Sequence, residues 1–184
     1  MSSWIKNAWY VAGWDYEVGP QPLARTLLGV PVVLWRKLDG EVVAMRDACP
    51  HRMLPLSMGI KEGDSLRCKY HGLKIGPDGV AEEMPLKSDP VNKRICTETF
   101  VVHECHRFVW IWMGDTPADL EKIADLWPCS ADGWAFEGGY YFHRLRLSPA
   151  DRQSDGPDPR NICPSRVHRP AGAHGSTIGH AHHR

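Results

Sequence analysis

Two short stretches constrain this chain more than anything else in it: Cys49-Pro50-His51 and, after sixteen intervening residues, Cys68-Lys69-Tyr70-His71. Each offers one thiolate and one imidazole, ligands that transition metals accept readily. A fold that uses all four donors must bring two loops together at their tips. The residues before each stretch are β-like, and Pro50 and Gly72 are turn formers. Both stretches therefore read as hairpin tips that bring backbone N–H groups near the sulfurs.

The surrounding sequence supplies the strands. Ala24 to Leu28, Val30 to Arg36, Glu41 to Arg46, Ser65 to Cys68, Phe100 to Cys105 and Phe108 to Trp112 are short β-rich segments separated by turn signals. The Asp-Gly pair in Leu38-Asp39-Gly40-Glu41 offers positive φ for a hairpin, and Gly76-Pro77-Asp78-Gly79 marks a second turn. Residues 1–112 are expected to form a small all-β domain, an antiparallel barrel or sandwich. Thr116-Pro117 then looks like a helix cap followed by proline at the first helical position, predicting a helix over 118–126 and a boundary near residue 113. Phe136, Tyr140, Tyr141 and Phe142 resemble the opening strand of a second sheet, in a segment 113–143 that begins an α+β domain.

Composition narrows the function. With 42% hydrophobic residues the chain can bury a core, and with 22 basic against 22 acidic residues it has no charge excess. That balance argues against nucleic acid as a partner and against an acidic disordered tail. Met-Ser-Ser-Trp-Ile-Lys-Asn is not a secretory leader, and no apolar run approaches membrane length. The expected location is the cytoplasm, with no membrane partner. There the six cysteines (49, 68, 96, 105, 129 and 163) are better read as metal ligands or small core residues than as three disulfides; Cys96, Cys105 and Cys129 are assigned to the core.

Two thiolates and two neutral imidazoles are the ligands of a Rieske [2Fe-2S] centre, where the thiolates bind one iron and the imidazoles the other. Replacing thiolates by imidazoles raises the reduction potential above that of an all-cysteine cluster, which suits a single-electron relay. A structural zinc site can use the same residue types, though it usually takes both cysteines from one loop and both histidines from a helix.

Cys49-Pro50-His51-Arg52 with Cys68-x-Tyr70-His71-Gly72 resembles the Rieske domain of the Rieske non-haem iron oxygenases. Asn7-Ala8-Trp9-Tyr10-Val11-Ala12, Pro22-Leu23-Ala24-Arg25, Pro55-Leu56-Ser57 and Phe108-Val109-Trp110-Ile111-Trp112 are similar to the vanillate O-demethylase-like branch of that family, over residues 4 to about 143. Respiratory-chain Rieske proteins carry a further cysteine in each cluster loop and a membrane anchor, and neither is found here. The resemblance implies that Cys49, His51, Cys68 and His71 hold the cluster and that Pro50, Arg52, Tyr70 and Gly72 form its shell. It also implies a flavin and iron-sulfur reductase fed by NADH as electron donor, and a homotrimer that passes electrons to a neighbour's mononuclear Fe(II). There one oxygen atom enters an aryl methyl ether, releasing formaldehyde.

The resemblance stops before that Fe(II) site. The family places its first ligands in a pattern close to Asn-Leu-Met-Asp-Leu-Thr-His followed by another histidine, and no such pattern follows Phe142 in frame. Instead residues 144–184 are a Pro, Arg, His, Gly and Ala mixture without apolar periodicity, expected to be disordered. Asp151 to Ser165 can be encoded so that skipping one base yields Ile-Asp-Asn-Leu-Met-Asp-Leu-Thr-His-Glu-Thr-Tyr-Val-His, which predicts a shifted reading frame near His143 or Arg144. On that reading His168, His174, His180, His182 and His183 are accidental, mononuclear Fe(II) is not expected to bind this chain, no residue of it is catalytic, and aromatic substrate would bind only the intact enzyme. The other reading is a stand-alone Rieske-type ferredoxin, which needs little beyond residues 1–112.

Overall fold

The computed structural model describes residues 4–86 and 88–140. The tail 144–184, Tyr141, Phe142 and Cys163 lie outside the described residues. The chain divides after Asp125 into two compact units, each described by itself.

The first unit is built of antiparallel strands in three sheets. Strands β1 (Ala8–Trp14), β10 (Val102–Cys105) and β11 (Phe108–Met113) form one sheet in the order β1-β11-β10. Strands β2 (Leu23–Leu27), β3 (Val30–Arg36), β4 (Val42–Arg46) and β9 (Thr99–Phe100) form the second in chain order. Strands β5 (Ile60–Glu62), β6 (Ser65–Arg67), β7 (Lys74–Ile75) and β8 (Ala81–Glu83) form the third. The β3–β4 hairpin turns with positive φ at Gly40 alone of the Asp-Gly pair (93°).

The second sheet lies at the centre because β3 is apolar on both faces. Val32 and Leu34 point into a core shared with Ala12, Val109, Ile111 and Met113 of the first sheet. Val33 and Trp35 point the other way, into a core shared with Leu66, Ile75 and Ala81 of the third. Alternation along a strand sends successive side chains to opposite faces, so a strand between two layers must be apolar throughout. The second core also contains Cys49 and Cys68, both buried.

The helix expected over 118–126 does not form. Only single 3-10 turns occur, at Leu120–Lys122 in the first unit and Trp127–Cys129 in the second. An α-helix would use the carbonyls of Thr116 and Asp119 for the amides four residues on. Here the Trp112 indole donates to the Thr116 carbonyl (2.8 Å) and the Trp9 indole to that of Asp119 (2.6 Å). Tertiary hydrogen bonds from two strand tryptophans thus override the local cap signal, and Asp119 instead accepts the Glu121 amide. In the second unit Trp127 and Trp134 meet edge to face, while Phe136 and Tyr140 lie in irregular backbone rather than in a strand. Among the described residues no helix is long and apolar enough to cross a membrane.

Candidate metal centre

The two ligand stretches are closed by the same pair of hydrogen bonds. In the first loop the Cys49 amide donates to the Leu54 carbonyl (2.8 Å) and the Met53 amide to the Cys49 carbonyl (2.7 Å). In the second the Cys68 amide donates to the Leu73 carbonyl (2.9 Å) and the Gly72 amide to the Cys68 carbonyl (2.9 Å). Each loop turns on a residue of positive φ four positions after its cysteine, Met53 at 59° and Gly72 at 80°. Glycine takes that conformation without a Cβ clash; methionine takes it at a cost of about 1–2 kcal/mol. The histidine sits two residues after the cysteine in one loop and three in the other, so the unequal spacing of the motif fits two loops of one design.

These loops bring the four predicted donors together as two pairs. The Cys49 and Cys68 thiols are buried side by side, and the amides of His51 and Arg52 point at the Cys49 sulfur. Burial pushes the Cys49 thiol above its ordinary pKa, the His51 amide works against that shift, and the neighbouring Cys68 adds to it. Metal binding would displace such protons. His51 and His71 are exposed, with their Nδ1 atoms 3.1 Å apart. Two imidazole nitrogens each about 2.0–2.1 Å from a common metal span a distance of that order. Among the described residues no three His, Cys, Asp or Glu side chains are set to share one ion. A thiol pair and an imidazole pair suit a binuclear cluster better than a single tetrahedral metal.

The other expected shell residues are also placed. The Tyr70 ring lies against that of His71, centroids 3.8 Å apart. Arg52 is exposed and contributes its backbone amide. Pro50 joins Leu73, Met84, Pro85, Leu86 and Asp89 around a hollow beside the two imidazoles. The assignment of the remaining cysteines needs correction. Cys96 is exposed, opposite Val80 in an isolated bridge, and Cys105 and Cys129 are half-buried.

Two braces hold the loops from behind. The buried Asp47 carboxylate accepts the Ser57 amide (2.7 Å) and hydroxyl (2.6 Å), joining the ends of the first loop. Arg67, next to Cys68, pairs with Glu62 and Glu83 and donates to the Gly72 carbonyl. Neither residue is marked out in the sequence, since their partners lie five to sixteen positions away. Between the loops Gly59 packs against β6, where an added Cβ would strike the Arg67 and Leu56 carbonyl oxygens. Gly59→Ala should therefore cost about 1–3 kcal/mol in urea unfolding, and an unchanged midpoint would contradict that packing.

A model of the Rieske [2Fe-2S] domain matches residues 8–102. The chain belongs to the Rieske domain family. Its relatives include the iron-sulfur subunit of the toluene-4-sulfonate monooxygenase system of Comamonas testosteroni, 42% identical over 142 residues, or 76% of this chain and 41% of the relative. The vanillate O-demethylase oxygenase subunit of a Pseudomonas species is 39% identical over 137 residues, 74% of this chain and 38% of the relative. A crystal structure of dicamba monooxygenase bound to dicamba superposes with a TM-score of 0.71 at 37% identity, over 75% of this Rieske chain and 42% of that one. The chain thus spans about two fifths of the length of the curated relatives it matches. A Rieske domain implies a [2Fe-2S] cluster, and the thiol pair and imidazole pair fit one.

Proposed function

We propose that Cys49 and Cys68 hold one iron and His51 and His71 the other, and that this chain is the electron-transfer portion of an aromatic Rieske oxygenase. The pairing of two buried thiols with two imidazoles 3.1 Å apart carries the reading. When bound, the cluster takes up and gives back one electron at a time. The polypeptide does the rest. Burial shields the thiolates from water, amides of His51 and Arg52 stabilise the charge on Cys49, and the exposed imidazole edges offer the way in and out for the electron.

On this reading a flavin and iron-sulfur reductase linked to NADH supplies the electrons, and the homotrimeric oxygenase uses them at a mononuclear iron for oxidative demethylation of a methoxylated aromatic acid. Relatives named for vanillate and dicamba demethylation support that class, and the sulfonate monooxygenase points to a competing one. The family's Fe(II)-ligand pattern does not follow Phe142 in frame, and on that sequence ground this chain alone is read as inactive in hydroxylation. The likeness to an oxygenase-system subunit runs over 142 residues and so extends beyond the Rieske match, which ends at residue 102, and this favours an oxygenase over a stand-alone ferredoxin.

Electron paramagnetic resonance of the dithionite-reduced protein, with iron and sulfide counted on the same sample, tests the assignment. The expected result is a Rieske-type signal of low average g with about two irons per chain. No signal with zinc bound would overturn it.

A further inference from the structure

Arg67 occupies an unusual place for a surface cation. It ends the three-residue strand β6 and immediately precedes Cys68. Its guanidinium makes four bonds: Nε to Glu62 Oε1 (2.7 Å), Nη2 to Glu62 Oε2 (2.8 Å), Nη2 to Glu83 Oε2 (2.7 Å) and Nη1 to the Gly72 carbonyl (2.8 Å). The bidentate bond to Glu62 fixes the plane of the fork, and Glu83 fixes its far side. The remaining nitrogen is thereby aimed at the loop. The arrangement depends on arginine, because lysine has no rigid fork with which to hold two carboxylates and a carbonyl at once. The same contacts keep the Glu83 carboxyl below its usual range, so that carboxylate remains a charged partner.

Gly72 is the residue after His71 and the turning point of the second loop. Its amide is held from inside the loop by the Cys68 carbonyl, and its carbonyl from outside by Arg67. The His71 side chain itself is exposed, with the Tyr70 and His51 rings beside it. The orientation of that imidazole therefore follows the backbone on which it stands. The first loop has its own outside brace in Asp47 and Ser57; in the second loop Arg67 fills that place.

We propose that Arg67 is a positioning residue for the cluster: by holding the Gly72 carbonyl it fixes the backbone that carries His71, and with it the angle at which the imidazole meets its iron. The inference rests on the ligand assignment proposed above. Ground-state stability alone does not require the fourth bond, since the two carboxylates already clasp the guanidinium across β5, β6 and β8.

The test uses three proteins. The unaltered chain must first give the Rieske signal; its absence would sink the ligand assignment and not the role of Arg67 in particular. Arg67→Met/Glu83→Gln removes one positive and one negative charge, so the local net charge is unchanged while the Gly72 tie is lost. Glu83→Gln alone weakens the clasp but leaves the tie. The double variant should show shifted g values and altered histidine nitrogen hyperfine couplings, and should release iron to a chelator about tenfold faster, the change expected on losing one hydrogen bond from a charged donor. Glu83→Gln, whose side-chain oxygen can still accept from Arg67 Nη2, should change both readouts much less than the double variant does. Unaltered g values and release in the double variant would overturn the proposal, and so would equal changes in both variants. Should the double variant fail to fold, Arg67→Met/Glu62→Gln set against Glu62→Gln alone is likewise charge-balanced, loses the tie and carries the same comparison.

Discussion

His71→Ala should lose its [2Fe-2S] cluster while keeping its fold. The imidazole is exposed, and the rings against it are those of Tyr70 and His51. Its removal opens no core cavity, and a change of this kind normally moves stability by no more than about 0.5 kcal/mol. On the proposed assignment the cluster would lose one of four ligands, and the remaining imidazole of His51 could not complete the second iron's protein coordination by itself. Iron should fall from about two per chain to near zero, with the Rieske signal absent and far-ultraviolet circular dichroism unchanged. Cys96→Ser is the matched control. That thiol is exposed and belongs to neither cluster loop, so the signal and iron content should match those of the unaltered chain. Loss of the cluster from the Cys96 variant, or its retention with normal g values in the His71 variant, would refute the ligand set.

The sequence reading and the structure agree where local signals and tertiary needs coincide. Val30–Arg36 was legible because a run of Val, Pro, Val, Val, Leu and Trp suits a strand covered on both faces, which is what the central sheet requires. The cluster loops were legible because cysteine and histidine at those spacings have few other uses. The third sheet was largely hidden. β5, β7 and β8 are two or three residues long and read Ile-Lys-Glu, Lys-Ile and Ala-Glu-Glu, too short for alternation to register and rich in residues that strands disfavour. They hold as strands through the pairing of β5 and β7 with β6 and of β8 with β7, and through Arg67, Glu62 and Glu83, contacts that no local window contains. β1 was recognised by resemblance to a family motif but not as a strand, since Gly13 and a bulge between Val11 and Gly13 interrupt its period. The absent helix at 118–126 is the reverse case, a sound local signal overruled by two distant indoles.

The site was legible at its four proposed ligands, which the fold brings together in two pairs, and not at its supports. Asp47 and Arg67 read from sequence as ordinary charged residues at strand ends. Their roles depend on Ser57, Gly72 and Glu83, which only the folded chain brings alongside. This division has a physical cause. Ligand chemistry restricts residue type, whereas a brace needs only a donor or acceptor at the right point, which many residues could supply.

Trp35→Ala should be the most destabilising single change in the first unit. The side chain is fully buried and belongs to the core that also contains Cys49, Cys68 and Leu73. Its indole donates to the Asp64 carbonyl (2.9 Å), at the turn between β5 and β6, so one residue fastens the third sheet to the central one. Truncation removes that bond and leaves a cavity between the layers. Losses for such changes run about 3–5 kcal/mol, against a total stability of about 5–15 kcal/mol for a domain. With a urea slope of about 1–3 kcal/mol per molar, the midpoint should fall by roughly 2 M. Trp35→Phe keeps most of the volume and gives up the hydrogen bond, so it should lose about 1–3 kcal/mol. The cluster should follow the core: the third sheet carries Cys68 and His71, and a loosened contact with β3 would separate them from Cys49 and His51. The alanine variant is therefore expected to release iron in urea well below the concentration that unfolds the unaltered chain. If iron stays bound until unfolding and the midpoint falls by less than about 0.5 M, a shift too small for loss of a buried tryptophan, the link through Trp35 is not what holds the two cluster loops together.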